Sequence, residues 1–219
     1  MLDALHDLAN AVSQHLMDYE LPAHAGMLER ASHRAQPRAT SASPLAARRG
    51  DIAAATHLGV ALEAARRGRG ARLATLLDPL ARANTWTQTS GYVLNPPHTK
   101  FLDNYAHTAL LGAAESHPLA VDETDTVTLG LLLLGPGNLY SHHHHPADEV
   151  YLPVTDGRWS HSSAQPLRWE PCAVPMHHAP WQPHAAQAGE THPLLVIYLW
   201  TGERTTSAHF ITEGCGDSG

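Results

Sequence analysis

Apolar positions in the first 85 residues recur at spacings of three and four, whereas those beyond residue 86 alternate or run in short unbroken stretches. In the first part Leu5, Leu8, Val12 and Leu16 make one stripe with His6, Asp7 and Gln14 off it, which predicts an amphipathic helix capped by Asp3. Residues 35–44, AQPRATSASP, read as a turn-rich linker. Asp51 is then placed to cap an Ala-rich helix that stops near Arg67, ahead of Gly68 and Gly70. A third helix spans Ala71 to Ala83 and is expected to bend at Pro79. The stripe on the first helix needs a partner, either within the chain or across a homodimer.

The second part reads as β-type segments broken by Gly, Pro and Asn. Val127 to Leu134 is a near-continuous apolar strand ended by Gly135-Pro-Gly-Asn138. Residues 150–154 lead through Thr155-Asp-Gly157 into Arg158-Trp-Ser160, a hairpin pattern. Residues 173–178, 184–188 and 194–199 complete the set. The expectation is a mainly β fold, a small antiparallel barrel at 86–212, with a helical region at 1–85 before it and a flexible tail at 213–219.

Within the β part, residues 137–151, GNLYSHHHHPADEVY, concentrate the chemistry. Four consecutive histidines suggest a purification tag, but tags sit at termini and this run lies mid-chain. Side chains two apart share a strand face, so His143, His145, Glu149 and Tyr151 fall on one side and His142, His144 and Asp148 on the other. The first set joins imidazoles, a carboxylate and a phenol, which suits a divalent ion such as Fe, Mn or Zn. The second set reads as solvated surface or as support. A further ligand is expected from 175–184, where His184 leads and His177 and His178 compete with it. Whether His143 binds metal or hydrogen-bonds a substrate stays open.

Composition narrows the partners. The 219 residues are 43% hydrophobic, enough for one cored domain or one domain with a helical extension. With 21 acids against 14 bases and a formal charge of −7, and no basic run longer than Arg48-Arg49 or Arg66-Arg67, nucleic acid is not an expected partner. The 18 histidines make the charge strongly pH-dependent near neutrality. Cys172 and Cys215 do not make a disulfide framework. The N-terminus lacks the basic start and apolar core of a secretory signal, and the longest apolar stretches fall far short of the ~20 residues that span a bilayer. A soluble, cytoplasmic protein with a small-molecule substrate and no membrane partner is expected.

Gly137, His143, His145, Glu149 and Gly157 resemble the first cupin motif, G-x5-H-x-H-x3-E followed by glycine, here one residue later than in the commonest spacing. Residues 180–184 resemble the core of the second motif, without its glycine or trailing asparagine. More narrowly, Tyr140-x2-His143-x-His145-Pro-Ala-x-Glu149-x-Tyr151 is similar to the cupin-type dimethylsulfoniopropionate (DMSP) lyases of the DddQ and DddL kind, from about residue 101 to 203.

That resemblance implies a jelly-roll-like cupin barrel with one divalent transition metal per chain, Fe2+, Zn2+ or Mn2+, on His143, His145, Glu149 and His184. It also implies β-elimination of DMSP to dimethyl sulfide and acrylate, with Tyr151 as the base and Tyr140 orienting the substrate or assisting proton transfer. A sulfonium is held well against aromatic faces, which makes Trp181 and Trp200 the first substrate-binding aromatics to test. Two other classes remain: a metal-dependent cupin of other chemistry, such as a dioxygenase or isomerase, and a non-catalytic ligand-binding cupin.

Overall fold

The computed structural model describes residues 1–37, 52–112, 119–120, 127–203 and 206–211. Most of the expected linker, Asp51 with its capping role, and the expected tail lie outside the described residues. The helical region holds α1 (Leu2–Asp18), α2 (Pro22–Arg34), α3 (Leu58–Arg66) and α4 (Ala71–Ala83), followed by the short α5 (Ser90–Leu94). Helix α1 begins at Leu2, so Asp3 sits inside its first turn instead of capping it. There the carboxylate still faces the positive end of the helix dipole. The stripe finds its partner within the chain: Leu5, Leu8, Val12 and Leu16 are buried against α2 and α4. That removes the exposed stripe as an argument for a homodimer.

A two-residue ribbon pairs β1 (Gln36–Pro37) with β3 (Leu119–Ala120). The remaining strands make two five-stranded antiparallel sheets. One runs β2 (Tyr105–Leu111), β4 (Val127–Leu134), β11 (Leu194–Gly202), β6 (Ala147–Pro153), β9 (Met176–His178). The other runs β12 (His209–Phe210), β5 (Leu139–His144), β10 (His184–Ala188), β7 (Gly157–Ser160), β8 (Arg168–Glu170). The expected jelly-roll-like arrangement is present as these two sheets facing each other, with no strand shared between them among the described residues.

Alternation explains why the first sheet is apolar on both faces. Leu129, Leu131, Leu133, Val150, Leu152, Leu195, Ile197 and Leu199 join the helices in one core. Leu132, Leu134, Tyr151, Leu194 and Val196 turn the other way, into a second core shared with Tyr140, Trp159, Ala186 and Ala188 of the facing sheet. A strand covered on both sides reads as an unbroken apolar run, which accounts for Val127–Leu134. Gly130 keeps that interior open, because a Cβ there would stand 2.3 Å from the Tyr198 ring. Gly137 has φ +71°, the left-handed conformation that the turn into β5 requires. No helix among the described residues is long and apolar enough to cross a membrane.

Candidate metal centre

The odd-numbered members of the histidine run point inward and the even-numbered ones do not. His143, His145, Glu149 and Tyr151 are buried, while His142, His144 and Asp148 keep partial exposure. Tyr140 would fall on the outer face by parity, yet it is buried and stacks on His143 with ring centroids 3.9 Å apart. A register shift between β5 and β10 is responsible. His184 pairs with His143 but Ala186 pairs with Tyr140, so β5 carries an extra residue at Ser141–His142 that turns both rings inward.

The three histidines are oriented alike. The Nδ1 of His143 donates to the Ser141 carbonyl at 2.9 Å, that of His145 to Ala147 at 3.1 Å and that of His184 to Gln182 at 2.8 Å. Each bond leaves Nε2 as the ring's other nitrogen, the arrangement that carbonyl-held metal-ligating histidines share. Nε2 of His143 and of His184 are buried without a hydrogen-bond partner. His184 Nε2 lies 3.1 Å from Glu149 Oε2, but the angle does not make a hydrogen bond. His145 Nε2 lies 3.1 Å from the same oxygen. One ligand atom from each of His143, His145 and His184 falls within 4.8 Å of the others. Buried imidazole nitrogens without partners beside a buried carboxylate are the donor set that a divalent transition ion takes, so these residues fit one.

Electrostatics favour a neutral imidazole at His143 and a charged carboxylate at Glu149, while at His145 burial is outweighed by the Glu149 carboxylate, which raises the imidazole above its usual range. Burial and the adjacent His184 hold His143 well below the usual histidine range. Burial alone would raise Glu149, but the His145 and His184 imidazoles beside it outweigh that and bring it well below the usual carboxylate range. Burial, then the Glu149 charge, push the Tyr151 phenol well above its ordinary value. Its ring lies 5.8 Å from that of His184.

Other expected residues separate. His178 is also fully buried, stacked 4.3 Å from His184, and forms a second group with Glu149 and His184; its Nε2 is engaged with His161 at 2.9 Å and its Nδ1 is buried without a partner. Trp200 donates its indole N–H to Glu149 Oε1 and packs 4.6 Å from the His145 ring, a contact with a ligand candidate instead of an open aromatic face. Trp181 is half-exposed and lies against His144, outside the buried cluster. His177 also lies outside it.

An aromatic wall went unread in the sequence. Tyr92, Phe101, Tyr105 and Phe210 surround Tyr140 with ring centroids 5.6–6.0 Å from its own, and the Tyr92 and Tyr140 hydroxyls meet at 2.7 Å. Its members come from separate stretches of the chain, so no local spacing betrays them.

Two facing antiparallel sheets around a buried set of imidazoles and a carboxylate define a protein of the cupin class. Within it, the chain belongs to the dimethylsulfoniopropionate lyase family, whose model matches residues 27–196. It is 29% identical over 147 residues to a protein of Cereibacter sphaeroides assigned as the dimethylsulfoniopropionate lyase DddL. That match takes in 67% of this chain but only 58% of the relative's length. The crystal structure of the DMSP lyase DddQ from Ruegeria pomeroyi DSS-3 superposes with TM-score 0.66 at 19% identity, covering 92% of this chain and 96% of that one. A structure reported with the DMSP lyases RdDddP and RnDddQII superposes with TM-score 0.58 at 19% identity, over 93% and 100% of the two chains.

Proposed function

We propose that this chain is a metal-dependent carbon–sulfur lyase that cleaves DMSP by β-elimination to dimethyl sulfide and acrylate. The observation that carries the reading is that Tyr151 and Glu149 face one buried interior from the same strand, in a chain of the DMSP lyase family. His143, His145, Glu149 and His184 would hold the ion, of the Fe2+, Mn2+ or Zn2+ class. His184 is preferred to His178 because it groups with both His143 and His145, whereas His178 groups only with Glu149 and His184. When bound, the ion supplies a Lewis acid for the substrate carboxylate and a positive charge that opposes the burial and the Glu149 charge keeping Tyr151 protonated.

Tyr151, as the phenolate that this positive charge would favour, accepts the α-proton at its phenolic oxygen and becomes the phenol. The C–H electron pair becomes the new double bond, and the Cβ–S pair leaves with sulfur as neutral dimethyl sulfide, so no general acid is required. Tyr140 orients the substrate, with its own hydroxyl held by Tyr92. The aromatic wall, more than Trp181, offers ring faces to the dimethylsulfonium group. Trp200 keeps Glu149 aimed through its indole N–H.

The test is headspace measurement of dimethyl sulfide from metal-loaded protein given DMSP. Release is expected, together with a loss of roughly 10²–10⁴-fold in Tyr151→Phe at unchanged metal content. No release with Fe, Mn, Zn, Co or Ni would sink the assignment.

A further inference from the structure

We propose a second metal site, formed by His24, Asp148 and His177 on the outer face of the strands that line the interior, for a divalent transition ion of the zinc class. It shares no residue with the inner cluster and does not rest on the function proposed above.

The site follows from strand alternation. Strands β6 and β9 are antiparallel neighbours with Glu149 opposite His178 and Val150 opposite His177. Glu149 and His178 turn inward, so Asp148 and His177 turn outward, diagonal to each other on the face the helices cover. His24, in the first turn of α2, meets them there. His24 Nε2 lies 3.0 Å and His177 Nε2 2.7 Å from the same Asp148 oxygen, Oδ1. The two rings are 5.0 Å apart, and one ligand atom from each residue falls within 4.8 Å of the others.

The donor set matches zinc chemistry. Two imidazole nitrogens and a carboxylate oxygen are three of the four ligands of a tetrahedral zinc site. Bonds of 2.0–2.1 Å place neighbouring donors about 3.3 Å apart, so the two histidine–aspartate distances need only a small opening. Exposure grows from His24, at 11%, to Asp148 and His177, at 32% and 39%, which leaves water access for the fourth position. The three residues come from α2, β6 and β9, separated by 124 and 29 residues in sequence. An ion among them ties the helical layer to the sheet and stabilises the folded chain, because the unfolded chain does not hold these donors together.

Metal-free protein is titrated with Zn2+, and bound zinc is counted after removal of the free ion. Wild type is expected to hold two ions per chain, and His24→Gln and His177→Gln one fewer each, with far-UV circular dichroism unchanged. His145→Gln, which disables the inner cluster, retains the outer ion, and Zn2+ raises its melting temperature. The double variant His145→Gln/His24→Gln loses that rise. In place of zinc, Co2+ in His145→Gln gives the strong visible absorption of a four-coordinate site. His145→Gln holding no zinc overturns the proposal, as does either His24→Gln or His177→Gln retaining the wild-type count. Should one of those two variants fail to fold, the other decides.

Discussion

Each histidine of the inner cluster gives one ring nitrogen to a backbone carbonyl within two residues of itself, so its orientation is set before any ion arrives. Glu149 meets His145 through its Oε2 and depends on Trp200, fifty-one residues away, to aim its Oε1. Trp200→Phe removes that donor while keeping the ring packed on His145. We expect metal affinity to fall about 10- to 100-fold, read by competition with a chelator. Unchanged affinity would show that Glu149 is aimed by other groups. At this scale the sequence was informative where chemistry is local: period-two parity separated the inward His143, His145, Glu149 and Tyr151 from their outward neighbours. Parity did not explain why Tyr140 faces the same interior, because the extra residue in β5 is visible only in its pairing with β10. The Trp200 contact was likewise invisible, since β6 and β11 are neighbours only in the folded sheet.

Among the elements, β4 shows how a strand can be constrained on both faces. Its odd positions pack under the helices, and its even positions line the interior, where Gly130 yields space to Tyr198. Gly130→Ala sets a methyl against that ring and against the Thr108 carbonyl, 2.6 Å away. Overpacking of this kind should cost about 1–3 kcal/mol, measured as a lower urea midpoint with little change in slope. A midpoint equal to wild type would mean that Tyr198 moves aside freely. The apolar run of β4, the bounds of α4 and the stripe of α1 were all legible, because each follows from its own periodicity. Strands β2, β8 and β12 were not, and two of these three are too short to show a period.

For the whole molecule, the buried titratable groups set how stability responds to acid. Burial on β2 brings His107 from 6.5 down to about 4. Between those values the unfolded chain binds the proton and the folded chain does not, so stability is lost as the pH falls from 6.5 towards 4. The His107 share is at most about 3 kcal/mol. His107→Gln should flatten the dependence of the urea midpoint on pH in that window, and an unaltered slope would assign the acid sensitivity to other groups. A change of period near residue 86 was readable, and it falls between α4, ending at Ala83, and β2, starting at Tyr105, with the short α5 (Ser90–Leu94) on its far side. Its three-dimensional meaning was not, because a period says that a stripe must be covered and not by which surface.

Packing of the helices against β2, β4 and β11 has a consequence for how firmly the two sheets are held. The first sheet is clamped between two cores, while the second rests on one. Amide exchange should therefore be slowest in β4 and β11 and faster in β5, β10 and β7. His143 and His184 stand on the pliant sheet and Glu149 on the stiff one, so an ion at the centre would act as a rivet between them. Stripping it should accelerate exchange in β5 and β10 while leaving β4 and β11 as slow as before.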